Sequence, residues 1–224
     1  MTGPPIRVMV EIGRKKRVVA CAFDWPGWDR SARTEPGALE VLETYRPRYA
    51  LVAARAGLGA VFGASGELTV VERLPGIGMT DYYGVSGRSA SAEAEPMTEA
   101  ECERKIALLE AAWATFDETA ARVSAELRPG PRGGGRDRDR IVRHVTGSEI
   151  DEYGKKVGVR TPLEAIGDPA AVAEHRRAMA EAIRATNARG PAAGQWTVSF
   201  VIRRCAWHAL DHAWEMEDRD LGPH

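Results

Sequence analysis

An apolar residue recurs at every third or fourth position of the stretch ERKIALLEAAWATFDETAARVSAEL, residues 103–127. The recurring residues are Ile106, Leu109, Trp113, Phe116, Ala120, Val123 and Leu127. This spacing places them on one face of an α-helix, and that face needs other helices to bury it. The sequence therefore predicts a long helix that begins near Thr98 and belongs to a helical assembly.

Three further helices are predicted after this one. RDRDRIVRHVTGSEIDEYGKKVG (136–158) gives the second, which ends at Gly158. The third begins at Asp168, a suitable N-cap residue, with Pro169 at the first helical position. Its inner face is predicted to consist of Val172, His175 or Arg176, Met179 and Ile183. The fourth runs from about 196 to 219, and four amphipathic helices joined by loops favour an antiparallel four-helix bundle.

The part of the chain before these helices has a different pattern. IRVMVEI (6–12) and RVVACAF (17–23) are rich in β-branched residues and predict a β-hairpin. EPGALEVLETY (35–45) predicts a helix, which Pro47 interrupts. ELTVVERL (67–74) predicts a third strand.

A loop or linker is expected at residues 75–96, which are rich in Gly, Ser and Pro. We therefore expect an α+β protein with two domains. Residues 1–95 would form a small domain of a β-hairpin, a helix and a strand, and residues 98–224 would form the four-helix bundle.

Composition and charge narrow the choice of partners and compartment. The chain has 31 Lys and Arg residues against 32 Asp and Glu, so no overall field attracts nucleic acid or an anionic membrane. Cys21, Cys102 and Cys205 lie far apart and form no CxxC pair, which is typical of a reducing cytoplasm. The apolar stretch before Gly13 is too short for a signal peptide or a membrane span. We expect a cytoplasmic protein without nucleic-acid or membrane partners.

Two histidines stand four positions apart in RRCAWHALDHAWEMEDR (203–219). Residues at this spacing are neighbours on a helix face, so His208 and His212 can chelate one ion. Catalytic zinc usually has three protein ligands, and the preferred third candidate is His144, with His175 in reserve. The alternative is a pair of polar residues with ordinary hydrogen bonds. Burying two imidazoles without partners would cost about 1–3 kcal/mol each, which favours a metal.

The segments AWHALDHAWEMEDR (206–219) and RHVTGSE (143–149) together resemble the DinB/YfiT-like superfamily of four-helix metalloproteins. The resemblance covers about residues 100–224. In that family, one histidine of the second helix and an HxxxH pair of a later helix bind a divalent metal. The ligands that the resemblance implies here are His144, His208 and His212. We expect zinc, with nickel or iron as alternatives, because three imidazoles accept most late first-row divalent ions.

The same resemblance implies an activity. The superfamily includes thiol-S-transferases that use mycothiol or bacillithiol, and a mycothiol-dependent isomerase. It therefore implies a metal-dependent enzyme that activates a low-molecular-weight thiol, or water, against an electrophilic substrate. Arg204, Glu215 and Arg219 are candidates for substrate binding, and Arg204 could hold a carboxylate. The alternative for these charges is a set of Glu–Arg pairs. Bundles of this kind often form homodimers.

Other residues near the predicted centre are expected to have structural roles. Glu149 is five positions after His144, so it points away from the metal and suits an ion pair. Cys205 is expected to be a small buried hydrophobe. Trp207 and Trp214 form a stripe that suits packing against a neighbouring domain or subunit.

The N-terminal region resembles a second family. FDWPGW (23–28) follows the predicted hairpin, and Thr34 then opens a helix, as in the HicB antitoxin module, a small partial RNase-H-like fold. The resemblance implies a lid or a docking surface, with Trp25 and Trp28 either exposed or packed on the bundle. It also supports an alternative function, a non-catalytic protein that uses this module to bind a protein partner.

Overall fold

The chain contains one mixed β-sheet of four strands in the computed structural model. The strands are β1 (Ile6–Ile12), β2 (Val18–Cys21), β3 (Asp29–Ala32) and β4 (Leu68–Pro75). Their order is β3-β2-β1-β4, in which β2 is antiparallel to β1 and β3, while β4 is parallel to β1. The structure describes residues 3–15, 17–130, 135–190 and 196–222.

Alternate residues of the central strands enter two apolar cores. Val8 and Val10 belong to the main core, which the helices share. Met9 and Cys21 enter a smaller core on the other face, which Ala90 helps to close. Since neighbouring residues of a strand point to opposite faces, the sheet is covered on both sides here. This accounts for the nearly continuous apolar character of β1.

Short helices follow the hairpin and β4. They are α1 (Glu35–Thr44), α2 (Arg46–Arg55), α3 (Gly59–Gly63) and α4 (Gly78–Tyr83). Thr34 caps α1, because its hydroxyl accepts a hydrogen bond from the Gly37 amide. The chain breaks at Tyr45 between α1 and α2, and Pro47 lies in the first turn of α2. The predicted interruption of this helix is confirmed.

Longer helices dominate the second half of the chain. They are α5 (Glu99–Arg122), α6 (Arg138–Ser148), α8 (Pro169–Arg189) and α9 (Val198–Arg219), and a single short turn, α7 (Gly154–Lys156), lies between α6 and α8. A π-helical turn at Glu149–Tyr153 joins α6 to α7. Helix α5 packs against α8 and α9, and α6 contacts α9. The α+β class is confirmed. Across the described ranges, no helix is long and apolar enough to cross a membrane.

The predicted start of the third helix is confirmed. The Asp168 side chain accepts hydrogen bonds from the first turn of α8, Pro169 begins the helix, and Gly190 follows its last residue. The predicted inner face is buried, including both members of the pair that the sequence left open, His175 and Arg176.

The first predicted helix extends too far. Helix α5 ends at Arg122, whereas the apolar spacing predicted a helix through Leu127. Beyond Arg122 the chain pairs with the segment that follows α9: Ser124 donates its amide hydrogen to Asp220 at 2.9 Å, and Leu127 forms a β-bridge with Asp220. These long-range hydrogen bonds replace the helical ones, so the prediction was wrong at this end.

The sequence also failed to predict β3, and the loop expected at 75–96 contains α4 and a 3₁₀ turn at Ser91–Glu93. Strand β3 begins with Asp29 and Arg30, which resemble loop residues. Both side chains have ion-pair partners on α9, so the strand is stabilised by a helix that lies far along the chain.

Trp25 and Trp28 are both packed in the main core. The Trp28 ring stacks on Tyr49 with 5.4 Å between centroids, and its Nε1–H donates to the Leu42 carbonyl at 2.8 Å. The Arg104 guanidinium of α5 lies 4.4 Å from the Trp25 ring centroid. The sequence left open whether these two tryptophans are exposed or packed, and the packed position is correct.

A fully buried ionic network fixes α9 against the sheet. Arg203 donates from Nη1 to Asp29 at 2.8 Å and from Nε to Glu93 at 2.7 Å. Its Nη2 donates to the Arg88 carbonyl at 2.7 Å. Successive residues of an α-helix are separated by about 100°, so with Arg203 facing the sheet the next residue, Arg204, begins a different face. That second face carries the two histidines of α9.

Candidate metal centre

Three imidazoles meet between α6 and α9. His144 comes from α6, and His208 and His212 come from successive turns of α9. Their ring centroids are 4.8 Å, 5.1 Å and 4.9 Å apart for the three pairs, and one nitrogen from each ring lies within 4.8 Å of the others. The three histidines that the sequence selected therefore lie close enough to bind one metal ion.

The nitrogen geometry fits a cation of zinc's size. The Nε2 atoms of His144 and His208 lie 3.1 Å apart. Two nitrogens bound to zinc at about 2.0–2.1 Å in tetrahedral geometry would be separated by about 3.3–3.4 Å, so only a small adjustment is needed. The rings stand at 77° to 88° to one another and do not stack. An all-nitrogen set of this kind suits zinc and its first-row neighbours.

A chain of partners holds His212. Its Nδ1 lies 2.7 Å from Oε2 of Glu215, and the other carboxylate oxygen accepts a hydrogen bond from Arg219. Arg219 also donates to the backbone carbonyls of Arg128 and Arg136 at 2.7 Å and 2.9 Å. When Nδ1–H donates to the carboxylate, Nε2 keeps its lone pair for the cation. Glu215 and Arg219 are thus engaged with each other, and the alternative of a Glu–Arg pair is confirmed.

The surroundings of His144 and His208 keep these two imidazoles neutral. Burial, with help from Arg136 and His212, lowers the pKa of His144 to about 4. Burial also lowers the pKa of His208 well below its ordinary value. Burial opposes ionisation of Glu215, but the hydrogen bonds from His212 and Arg219 hold its pKa below the ordinary value. Neutral imidazole is the form that binds a metal, so no proton needs to leave these two rings at neutral pH.

Arg204 lies beside the centre but forms no ion pair with any residue that the structure describes. It is 3% exposed, and its Nε and Nη1 atoms have no hydrogen-bond partner within the described part of the chain. Its guanidinium carbon lies 4.7 Å from the centroid of the Trp207 ring. On the other side of α9, Trp214 packs against Tyr45 of the N-terminal region with 5.1 Å between centroids. Trp214 therefore packs against the N-terminal region, whereas Trp207 contacts His208 of the site.

Tyr153 is a site residue that the sequence analysis missed. It ends the π-helical turn after α6, and its ring centroid lies 6.0 Å from that of His208. Burial raises the pKa of its hydroxyl, so it remains protonated. Apolar periodicity gave no signal, because a π-helical turn shifts the face that each following residue occupies.

The other candidates lie elsewhere. His175 is not part of the centre: its ring nitrogens lie 2.9 Å from the Thr161 hydroxyl and 3.1 Å from the Glu149 carbonyl. Glu149 forms a buried ion pair with Arg176 at 2.8 Å, as predicted. Cys205 is buried, as expected, and burial raises its pKa.

Comparison of the chain with protein-family models, with curated proteins and with solved structures found no match. Interpretation of the centre therefore depends on the residues and the geometry described above.

Proposed function

We propose that the protein is a metal-dependent enzyme of the DinB-like type, in which a three-histidine centre activates a low-molecular-weight thiol or water for group transfer or hydrolysis. The observation that carries this proposal is the position of His144, on a separate helix, within ligand distance of His208 and His212. In this proposal α5, α6, α8 and α9 form a DinB-like four-helix bundle. Zinc is the expected ion, and nickel and iron are alternatives.

The donor set suits catalysis better than a purely structural metal site. Structural zinc sites are generally closed by four protein ligands, whereas three protein ligands leave a position for water or substrate. Among the described residues, the cluster contains three candidate ligands and no cysteine or carboxylate. A divalent ion held there supplies Lewis acidity, which favours the deprotonated form of a thiol or of water at neutral pH.

Each residue of the centre has a definite task in this proposal. His144 links α6 to α9, so the geometry of the centre depends on the packing of these two helices. His212 is oriented by Glu215, and Arg219 fixes that carboxylate in turn. His208 is the most deeply buried of the three, at 7% exposed, and is the ligand farthest from solvent in this proposal.

The test is activity that depends on the metal and on His144. Metal-free protein would be reconstituted with zinc, nickel or iron. Thiol transfer would be assayed with a panel of cellular thiols and a chromogenic aryl halide, and hydrolysis with a nitrophenyl ester. We expect turnover only in the reconstituted protein and its loss in His144→Ala. His175→Gln is the matched control, because it removes a histidine that has other partners and should keep both metal and turnover.

Two outcomes would contradict the proposal. Failure to bind any of the three metals would remove the centre itself. Metal binding without turnover in either assay would favour the non-catalytic binding protein. Circular dichroism of each variant would show whether a loss reflects unfolding.

A further inference from the structure

We propose that Arg204, together with the Nδ1–H of His208, forms a buried subsite that binds a carboxylate group of the substrate. This inference deepens the proposed function and rests on it, because it assigns a substrate class to the same centre. It implies that the thiol or its electrophilic partner is a small carboxylic acid.

Arg204 differs from the other buried arginines. Each of these has a carboxylate partner: Arg30, Arg176, Arg203 and Arg219. Within the described ranges, Arg204 has no ion pair, although it is only 3% exposed. A guanidinium remains charged at any ordinary pH, so Arg204 cannot avoid the cost of burial by losing its proton. An anion is therefore the partner that its chemistry requires.

The Trp207 ring limits the directions from which Arg204 can bind a ligand. Trp207 lies 4.7 Å from the guanidinium carbon and supplies a cation–π contact. Such a contact uses the face of the guanidinium, whereas the N–H bonds lie in its plane and remain available. Nε and Nη1 are both buried and have no hydrogen-bond partner among the described residues. Each N–H lies in the plane of the guanidinium and can donate a charge-assisted hydrogen bond to a carboxylate oxygen.

A second buried donor lies nearby, on His208. Nδ1 of His208 is buried and has no hydrogen-bond partner among the described residues. With Nε2 directed at the cation, the proton of the neutral ring is on Nδ1, which is then a donor. Arg204 and His208 are one turn apart on the same helix face, about 6 Å along the axis. A carboxylate between them would satisfy both residues and would also orient His208.

Charge favours a carboxylate over a phosphate. One guanidinium balances the single negative charge of a carboxylate, whereas a phosphate monoester would bring about 1.5–2 charges into the same buried space. The short distance between Arg204 and the histidines also limits the acid to a few bonds between its carboxylate and its reacting atom.

Stability of the free protein gives a first test. If Arg204 is held for a ligand, its unpaired charge destabilises the ligand-free chain, and Arg204→Met should raise the melting temperature. Acetate should stabilise the metal-free wild type relative to the same concentration of chloride and should not stabilise Arg204→Met. A lower melting temperature for the variant, with no specific effect of acetate on the wild type, would show that Arg204 is a packing residue and would overturn the subsite.

Binding to the loaded centre gives the decisive test. Cobalt-substituted protein reports a bound thiol through its near-ultraviolet charge-transfer absorption. We expect 3-mercaptopropionate to bind at least about tenfold more tightly than its methyl ester, since hydrogen bonds to a charged group are worth about this much. Arg204→Gln should lose this preference while its affinity for the ester stays unchanged. Arg204→Lys should recover part of it, because it restores the charge without the planar fork.

The outcomes separate this inference from the proposed function. Equal affinity of the wild type for acid and ester, in protein that binds cobalt, would overturn the subsite and leave the metal centre intact. Failure to bind cobalt would contradict the proposed function, and the acetate measurement would then decide the subsite by itself.

Discussion

Replacement of Arg203 by methionine should strongly destabilise the protein. The change removes the partner of two buried carboxylates, Asp29 and Glu93, each 1% exposed. Breaking a buried ion pair by removing one partner costs about 3–5 kcal/mol. For a chain of this size, 1 kcal/mol corresponds to about 2–4 °C, so the melting temperature should fall by about 6–20 °C. Burial already raises the pKa of Asp29. If Asp29 is protonated in the variant, no charge is stranded there, and the loss of stability should lie near the lower end of this range.

The control is a triple variant in which Asp29→Asn and Glu93→Gln accompany Arg203→Met. It removes the stranded charges, so it should recover most of the lost stability, as measured by denaturant unfolding. Two results would refute the view that this ionic network joins the sheet to α9. One is a decrease in the free energy of unfolding below about 1 kcal/mol in the single variant. The other is a triple variant that is no more stable than the single one.

Three further predictions concern single residues. Glu215→Gln should weaken zinc binding about 10–100-fold in competition with a chromogenic chelator, because the orienting carboxylate is lost; unchanged affinity would contradict this role. Gly27→Ala should lower the free energy of unfolding by about 1–3 kcal/mol, because φ of Gly27 is +96° and a Cβ there would lie 2.7 Å from the Leu210 side chain. An unchanged free energy in denaturant unfolding would contradict this close approach. The backbone amide of Ser124 lowers the pKa of Asp220 from 3.8 to about 2. The ionised Asp220 side chain therefore stabilises the fold above pH 3.8, and this contribution is lost as the pH falls towards 2. The difference in unfolding midpoint between wild type and Asp220→Asn should shrink over that range, and a constant difference would contradict the assignment.

Local patterns allowed much of the structure to be predicted. The start of α8 followed from the capping preference of Asp168 and from Pro169, which act within one turn. The alignment of His208 and His212 followed from helical geometry alone. His144 was chosen as their companion because it lies on the second helix of the predicted bundle, and the family resemblance implied the same residue. The structure places it beside them.

What the sequence did not predict depends on contacts between distant segments. Strand β3 exists because Asp29 and Arg30 find partners on α9. The end of α5 is set by hydrogen bonding to Asp220. The burial of Arg204 without a carboxylate partner among the described residues follows from the arrangement of the surrounding chain and has no local signal.

Several interpretations remain predictions. These are the DinB-like and HicB-like resemblances, the division into domains at residues 1–95 and 98–224, the homodimer and the cytoplasmic location. The N-terminal region nevertheless contributes to the surroundings of the centre, since Asp29 and Glu93 hold the helix that carries two of its histidines.

The most direct test of the three-histidine centre is anomalous diffraction at the zinc edge from crystals of zinc-loaded protein. One peak should lie about 2.0–2.1 Å from the Nε2 atoms of His144, His208 and His212 together. A peak bound only by the two histidines of α9, or one located elsewhere in the molecule, would contradict the account.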